Sequence, residues 1–232
     1  MKKDVLKILL VLILTMTISN KGVAQDFGLS FSYFIPKNGY FSVPVTPFSI
    51  RGIGVDINRF ISLETGFTLY RMSGLNVKDL PFESTSPLIG PFFTLMVPAD
   101  IVFSVNLGGP IFKLKGGGFG FFHFDTRVNN GNLDRELLKH TGWEVLNSSY
   151  SAKNAFGYGY HFGVELLFYV TKKFGLSLEA YYLSGFSSLD MKGSYKGIPV
   201  DGDPLTIVHE NFPDSKLDFT GYEFSIGVIY TP

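Results

Sequence analysis

The chain has 232 residues, with 20 basic and 20 acidic side chains, 16% aromatic residues, 26 glycines and no cysteine. Equal charge counts argue against a nucleic-acid partner, because neutralising phosphates needs a basic surplus on one face. Without cysteine no disulfide stabilises the fold, and just over 200 residues after a leader fit one domain.

The first 24 residues have the pattern of a secretory signal peptide. Lys2, Lys3 and Lys7 precede the apolar run from Ile8 to Ile18, and the small residues Gly22 and Ala24 follow. We therefore predict cleavage after Ala24, leaving residues 25–232 as the mature chain; an uncleaved anchor helix is the alternative. The next residue is Gln25 and not the cysteine of a lipoprotein.

Eight segments of the mature chain alternate apolar and small or polar residues, which predicts strands with two unlike faces. In the sixth, for example, Phe162 and Val164 alternate with Gly163 and Glu165. Since the apolar face recurs in nearly every segment and no helical pattern could cover it, lipid is the expected cover. The segments run from Phe27 to Ile35, about Phe48 to Ile57, Ile61 to Met72, Phe93 to Val105, Ile111 to Phe124, Phe156 to Val170, Phe174 to Tyr182 and Phe219 to Tyr230.

The connections between these segments alternate in length. Residues 58–60, 106–110 and 171–173 form short turns, whereas residues 36–47, 73–91, 125–155 and 187–218 form long loops. Outer-membrane barrels have short periplasmic turns and long extracellular loops. The sequence thus predicts an all-β fold: residues 25–232 form an outer-membrane β-barrel domain, an eight-stranded antiparallel transmembrane β-barrel. One short helix, Leu133 to His140 capped by Asn132, is expected in the third long loop.

Two stretches resemble a known family. The strand containing Leu95-Met-Val-Pro98-Ala-Asp100, followed by the glycine-rich Lys113-Leu-Lys-Gly-Gly-Gly-Phe-Gly-Phe-Phe122, is similar to the outer-membrane β-barrel domains of porin-like and OmpA-like proteins. The leader ending Val23-Ala24-Gln25 resembles those common in Bacteroidetes. The resemblance implies a Gram-negative cell outer membrane. The chain ends two residues past Tyr230, whereas such barrels usually end on the aromatic residue.

The inward phase of the strands carries most of the charges of the barrel. In a barrel of eight strands side chains fill the interior, so these charges should meet across the lumen, and Lys115 should pair with some of the nearby acids. The predicted interior charge network is either a structural plug or a gate. Its members are Glu64, Asp100, Lys113, Lys115, Glu165, Glu179 and Glu223, and Asp56 and His161 share their phase.

Other patterns suggest chemistry less specifically. His123 and His161 face inward with Ser30 and Ser32 in the same wall, but nothing groups a nucleophile, a base and an acid. The run Gly116 to Gly120 lacks the Lys-Ser/Thr ending of a phosphate loop, so glycines that make room for bulky neighbours explain it better. Asp201-Gly-Asp203 fits turn chemistry better than calcium. Trp143, Tyr150 and Tyr195, in the outer loops, are either rim anchors or ligand contacts.

We therefore expect a non-enzymatic outer-membrane barrel that contributes to membrane structure and presents loops at the cell surface. The alternatives are a narrow passive pore, a lipid-modifying enzyme and a soluble lipocalin-like barrel, which would place Glu165 outside. No cofactor and no metal are expected. The expected partners are outer-membrane lipids, the barrel-assembly machinery and an unidentified extracellular ligand at the long loops.

Overall fold

The fold was obtained as a computed structural model that describes residues 27–43, 49–199 and 203–231. The proposed leader, residues 1–24, lies outside these ranges. Eight long strands follow one another around a barrel, namely β1 (Phe27–Pro36), β3 (Ser49–Asp56), β4 (Ile61–Leu75), β6 (Phe92–Asn106), β7 (Ile111–Phe124), β9 (Gly157–Tyr169), β10 (Phe174–Ile198) and β13 (Gly221–Tyr230).

These eight strands form a closed antiparallel ring. Each pairs with the next along the chain, and β13 pairs with both β10 and β1, so that Tyr230 lies opposite Phe174 on one side and Phe27 on the other. Closure leaves no strand edge within the ring, which is what a sheet needs to cross hydrocarbon. The predicted fold class, an eight-stranded barrel with short periplasmic turns and long extracellular loops, is confirmed.

The two faces of the ring differ as the alternation predicts. Leu178, Phe224 and Ile226 are about half exposed on the outer wall, whereas Glu165 and Glu179 are buried inside. A lipocalin-like barrel would have the opposite arrangement, so that alternative is wrong. The apolar side chains exposed on the outer wall form a band that suits lipid and not water.

The long loops fold into a second layer on the extracellular side, which we call the cap. It consists of five short strands, one helix and the outer part of β10, which runs to Ile198. The prediction of a loop over residues 187–218 is therefore wrong for most of that span. The short elements are β2 (Gly39–Val43), β5 (Val77–Lys78), α1 (Asn130–Thr141), β8 (Val145–Asn154), β11 (Thr206–Phe212) and β12 (Lys216–Asp218).

Helix α1 is longer than predicted and begins earlier. Asn129, not Asn132, is the N-cap, and its side chain accepts a hydrogen bond from the Asn132 amide. The helix ends at Gly142 in the left-handed conformation, with Lys139 in the last turn, where a cation favours the helix dipole. Among the described residues, no helix is long and apolar enough to cross a membrane.

The cap has its own hydrophobic core, which continues into the barrel. Leu133 and Leu137, one turn apart on α1, are fully buried against the loops and the cap sheet. Met191 and Tyr195 of β10 belong to the same cluster. The apolar core thus extends from the cap down into the outer half of the lumen. Its largest buried side chains include Tyr70, Phe34, Phe92, Phe121, Phe219, Met72 and Leu88.

Candidate functional site in the barrel lumen

Four charged side chains form an ion cluster in the inner half of the lumen. The Lys115 ammonium lies 2.6 Å from Glu165 Oε2 and 2.9 Å from Glu64 Oε2, and Lys113 lies 3.1 Å from Glu64 Oε1 and 3.8 Å from Glu165 Oε2. Strand register produces this arrangement, because Lys113 of β7 lies opposite Glu165 of β9. Two cations thus balance two carboxylates inside the barrel.

A second cluster is centred on Arg51 of β3. Its guanidinium donates to Glu179 Oε2 at 3.2 Å and, through its other terminal nitrogen, to Glu223 Oε1. Glu223 also accepts hydrogen bonds from the Tyr70 hydroxyl and, at 2.8 Å, from Ser225 Oγ. A guanidinium suits this position because its planar fork can hold two carboxylates at once.

The sequence analysis missed Arg51 because its strand contains a bulge. Strict alternation places Arg51 on the same phase as Ile53 and Val55, which face outward. The pairing of β3 with β4 shifts register between Ile50 and Ile53, and Gly52 has a φ of 75°. An extra residue in one strand reverses the phase on one side of it. The available signal was a glycine next to an arginine that strict alternation would place on the lipid-facing side.

The other three predicted network residues, Asp100, Glu179 and Glu223, do not belong to the lysine–glutamate cluster. Asp100 of β6 is hydrogen-bonded to His161 Nε2 of β9 and not to Lys115. Glu179, also expected near Lys115, is held by Arg51. All seven predicted residues face the lumen, but the structure divides them among two ion clusters and one His–Asp pair. Asp56 is exposed at the periplasmic mouth.

Above the charges, a group of aromatic rings closes the lumen; we call it the aromatic seal. Phe219, in the connection between β12 and β13, stacks on Phe34 with ring centroids 4.5 Å apart and on Phe121 at 4.7 Å. Tyr70 and Phe119 approach the same ring at 6.0 Å. Sequence reasoning placed Phe219 at the start of the last strand and did not predict that its ring enters the lumen.

Glycines in the wall make room for these rings. A Cβ at Gly157 would lie 2.3 Å from the tip of Phe121, and a Cβ at Gly163 would lie 2.3 Å from Tyr181. At Gly117 it would lie 1.9 Å from the carbonyl oxygen of Ala99. Within the run from Gly116 to Gly120, close packing thus explains Gly117, and it also explains Gly120, where a Cβ would lie 2.4 Å from the Phe156 ring.

A polar vestibule opens at the periplasmic end of the lumen. It has a volume of about 170 Å³ and is lined by Asp56, Ser62, Glu64, Lys113 and Tyr169 among others. The vestibule ends at the lysine–glutamate cluster. Water from the periplasmic side can therefore reach the edge of the ion cluster, whereas the aromatic seal separates the cluster from the cap.

The candidate catalytic residues lie in settings typical of packing. His123 Nδ1 is 2.7 Å from Thr94 Oγ1, and its ring packs against Phe92 and Phe121. Ser32 Oγ lies 2.8 Å from Ser225 Oγ. Among the described residues, no group of three or more His, Asp or Glu side chains is arranged to hold a metal ion. Asp201, one of the two carboxylates weighed for calcium, lies outside the described residues.

The aromatic residues predicted in the outer loops belong to the core of the cap. Trp143 packs edge-on to Tyr195 with centroids 5.2 Å apart, and Tyr150 stacks on Phe212 at 5.6 Å. Burial raises the pKa of both tyrosines, and the nearby carboxylate of Glu210 raises it further. Both phenols therefore stay neutral at physiological pH.

On helix α1, the surroundings of Glu136 lower the pKa of its carboxyl. Burial raises the pKa of its carboxyl, but hydrogen bonds from Lys139 Nζ at 3.2 Å and Thr85 Oγ1 at 3.1 Å outweigh burial and lower it below 4.5. Thr85 lies in the loop between β5 and β6, so the ionised carboxylate ties α1 to that loop.

The comparisons agree with the fold. OprG from Pseudomonas aeruginosa, an outer membrane protein, superposes with a TM-score of 0.50 at 14% identity, covering 89% of this chain and 95% of OprG. Ail of Yersinia pestis (TM-score 0.38, 13% identity, 88% and 94% covered) and a major outer membrane protein from Thermus thermophilus (0.42, 11%, 88% and 98%) are more distant. No protein-family model matches the sequence, and no curated protein matches it.

Together, the closed ring, the apolar outer wall and the likeness in fold to OprG show an outer-membrane β-barrel. The predicted location, the cell outer membrane, is confirmed at this level. At 14% identity the likeness extends to the fold and to nothing finer.

Proposed function

We propose that the protein is a closed, non-conducting outer-membrane barrel whose role is to anchor and present the cap at the cell surface. The observation that carries the proposal is the aromatic seal, in which Phe219 stacks between Phe34 and Phe121. The seal is continuous with the buried core of the cap, so barrel and cap are packed as one body. The charged side chains on the periplasmic side of the seal are paired with one another. Paired side chains that fill the lumen block it, as expected in a barrel of eight strands.

A narrow pore is the second candidate, and the vestibule is what favours it. Its polar walls admit water as far as Glu64 and Lys113. Conduction would need both the lysine–glutamate cluster and the aromatic seal to part. We rank the pore second because two barriers of different chemistry lie in series.

We propose no enzymatic activity and no cofactor. His123 and His161, the candidate bases, contact Thr94 and Asp100 respectively and pack among aromatic rings. A general base needs a reachable substrate proton, and these rings lie within the packed lumen.

Outer-membrane lipids are the proposed partners of the apolar wall, and the barrel-assembly machinery is the proposed route of insertion. Origin in Bacteroidetes and membership of the OmpA-like type stay predictions from the sequence. The cap supplies a surface for an extracellular ligand.

Conductance across planar bilayers tests the proposed function. We expect the refolded mature protein to give no steady openings. Phe219→Ala removes the ring at the centre of the seal but leaves the lysine–glutamate cluster, so we expect brief openings only at moments when that cluster parts. Phe186→Ala is the matched control, since that aromatic side chain is exposed on β10, which pairs with β12 next to Phe219. Steady openings of the unmodified protein would make the pore the better assignment.

A further inference from the structure

The cap contains a three-stranded antiparallel sheet with two edges. The outer part of β10 is the central strand, β8 pairs with one side of it and β11 with the other. Lys196 illustrates the register, since it lies opposite Asn147 of β8 and Ile207 of β11. A strand at a sheet edge presents a row of backbone groups that can bind another chain.

The β8 edge is covered by helix α1. The backbone amide of Ser148 donates to Asp134 Oδ1 at 2.6 Å, and that of Tyr150 donates to Asn130 Oδ1 at 3.1 Å. Both acceptors belong to the helix. The side chains of α1 thus take the place of a neighbouring strand at alternate positions of β8.

Among the described residues, no helix side chain covers the β11 edge in this way. Within the part of the chain that the structure describes, the hydrogen bonds of the β11 amides are those of its ladder with β10. The strand runs for seven residues between Pro204 and Pro213 and contains neither proline nor lysine. Ile207 is 57% exposed, and the neighbouring Leu205 is 66% exposed. Natural edge strands are often blunted by lysine, by proline or by a bulge, and residues 206–212 contain none of these; their one acidic side chain is Glu210.

We propose that the free edge of β11 is a pairing site for an extended polypeptide segment of another protein, which adds a fourth strand to the cap sheet. Backbone hydrogen bonds would supply the affinity, and an apolar side chain of the partner would cover Ile207. This deepens the proposed function, on which it rests, because the cap must be displayed outside the cell to meet such a partner.

Symmetry argues against a second copy of the chain as the occupant. Copies in one membrane are related by rotation about the membrane normal, so corresponding strands point the same way along it. Because β10 continues from the barrel wall into the cap, the antiparallel β11 runs back toward the barrel in every copy. Two β11 edges would then pair in parallel, which is the less stable arrangement per residue. A foreign segment is free to pair antiparallel.

A peptide with the β10 sequence from Met191 to Ile198 is the probe, because β10 is already an antiparallel partner of β11. Labelled peptide is titrated into the full mature protein, refolded in lipid nanodiscs, and binding is followed by fluorescence anisotropy. Two further peptides carry N-methyl groups on one or the other alternate set of amides. Since only one set faces β11, we expect one methylated peptide to bind about tenfold more weakly and the other to bind unchanged.

Ile207→Lys and Asn147→Lys form a matched pair of variants. Both put a lysine on the exposed face of an edge strand, directly opposite Lys196. We expect Ile207→Lys to weaken peptide binding by about tenfold, because an edge lysine blocks strand addition, and Asn147→Lys to leave binding unchanged. Hydrogen exchange of the unliganded variants verifies that the cap sheet remains folded.

Hydrogen exchange with and without the peptide locates the binding. Protection of the β11 amides on adding the peptide, with β8 unchanged, is the expected result. Equal binding of both methylated peptides, or protection of β8 and not β11, would overturn the proposal. Protection of β11 that grows with protein concentration in the absence of peptide would replace the foreign segment by a second copy. The closed barrel and the peptide-binding edge can fail separately. Steady conductance would overturn only the closed barrel. Absence of peptide binding to a protein that does not conduct would overturn only the binding edge.

Discussion

Lys115 is the most enclosed cation of the lumen, with a side chain only 3% exposed. Its ammonium joins Glu165 of β9 to Glu64 of β4, two strands that are not neighbours in the ring. A buried pair of this kind contributes little compared with apolar residues of the same shape, but removing one partner leaves a charge without compensation. Replacing the whole pair by apolar residues should therefore cost little, whereas removing the lysine alone should cost much.

We expect Lys115→Met to destabilise the barrel by about 3–5 kcal/mol, because Glu165 loses its shortest ion pair. The double variant Lys115→Met/Glu165→Leu should recover much of that loss. Urea unfolding of lipid-refolded protein measures both, and Lys115→Met/Glu179→Leu is the control, since Glu179 is held by Arg51. Recovery with Glu179 equal to that with Glu165 would contradict the pairing seen in the structure.

At the residue scale, alternation predicted which charges face the lumen but not how they pair. Glu64, Lys113 and Glu165 lie on the lumen side in the structure, because their strands alternate regularly at these positions. Arg51 was missed because the bulge beside it cannot be counted from a single sequence. Pairing across a barrel depends on the stagger between strands, and the sequence of one strand does not contain that stagger.

At the element scale, the bulge in strand β3 turns Arg51 into the lumen, where it contacts Glu179 and Glu223. Gly52 has a φ of 75°, a conformation that disfavours any residue with a Cβ. The rest of β3 pairs normally with β4 on both sides of the irregularity.

Gly52→Ala should therefore destabilise the protein by about 1–2 kcal/mol through backbone strain. Gly118→Ala serves as the control, because a Cβ there would lie 3.6 Å from the nearest atom, an ordinary contact. Urea unfolding compares the two. Equal stability of both variants would mean that β3 keeps its geometry without the glycine.

Helix α1 gives a prediction about pH. The carboxyl of Glu136 has a lowered pKa in the folded cap, so its contribution is complete above its usual value of 4.5 and is lost as the pH falls through the folded value. Trp143, the single tryptophan, packs on Tyr195 next to the helix and reports on the cap. Acidification below 4.5 should change its fluorescence in the unmodified protein.

Glu136→Gln should lower cap stability near neutral pH and reduce the acid-induced change, because the amide cannot ionise. Asp125→Gln is the control for general charge loss, since the Asp125 side chain is 62% exposed. A fluorescence transition of equal size in both variants would assign the acid response to other groups.

The outer part of β10 shows why some elements escaped prediction. Beyond Phe186 its outward positions are Ser188, Asp190 and Lys192, so the apolar alternation that marks the barrel strands ends there. The strand nevertheless continues, because its inward residues Leu189, Met191 and Tyr195 are buried in the cap core. A strand covered by a loop domain on one face and by water on the other lacks the lipid-facing signal.

At the scale of the whole molecule, the architecture was predictable where lipid dictates it. A barrel wall must present apolar residues outward along every strand, and that repetition identified eight strands and their connections. The cap, the aromatic seal and the position of Phe219 depend on contacts between distant loops, and local patterns do not contain them. Of the whole site, the aromatic seal was the hardest part to predict from the sequence.

Substitutions along β10 can locate the outer boundary of the membrane. The outward-facing positions of this strand continue from the lipid-facing wall into the cap. Leu178 is exposed on the apolar wall, and Ser188 and Ser194 follow on the same phase farther along the strand. We expect Leu178→Arg to destabilise the refolded protein by about 2–4 kcal/mol, because a charge near the bilayer midplane loses its water. Ser194→Arg should cost about 0–1 kcal/mol, since its position lies in the cap outside the hydrocarbon, and Ser188→Arg should fall between. Urea titrations in lipid vesicles give all three values. Equal losses at the three positions would show that depth does not govern this face and would contradict the proposed boundary between barrel and cap.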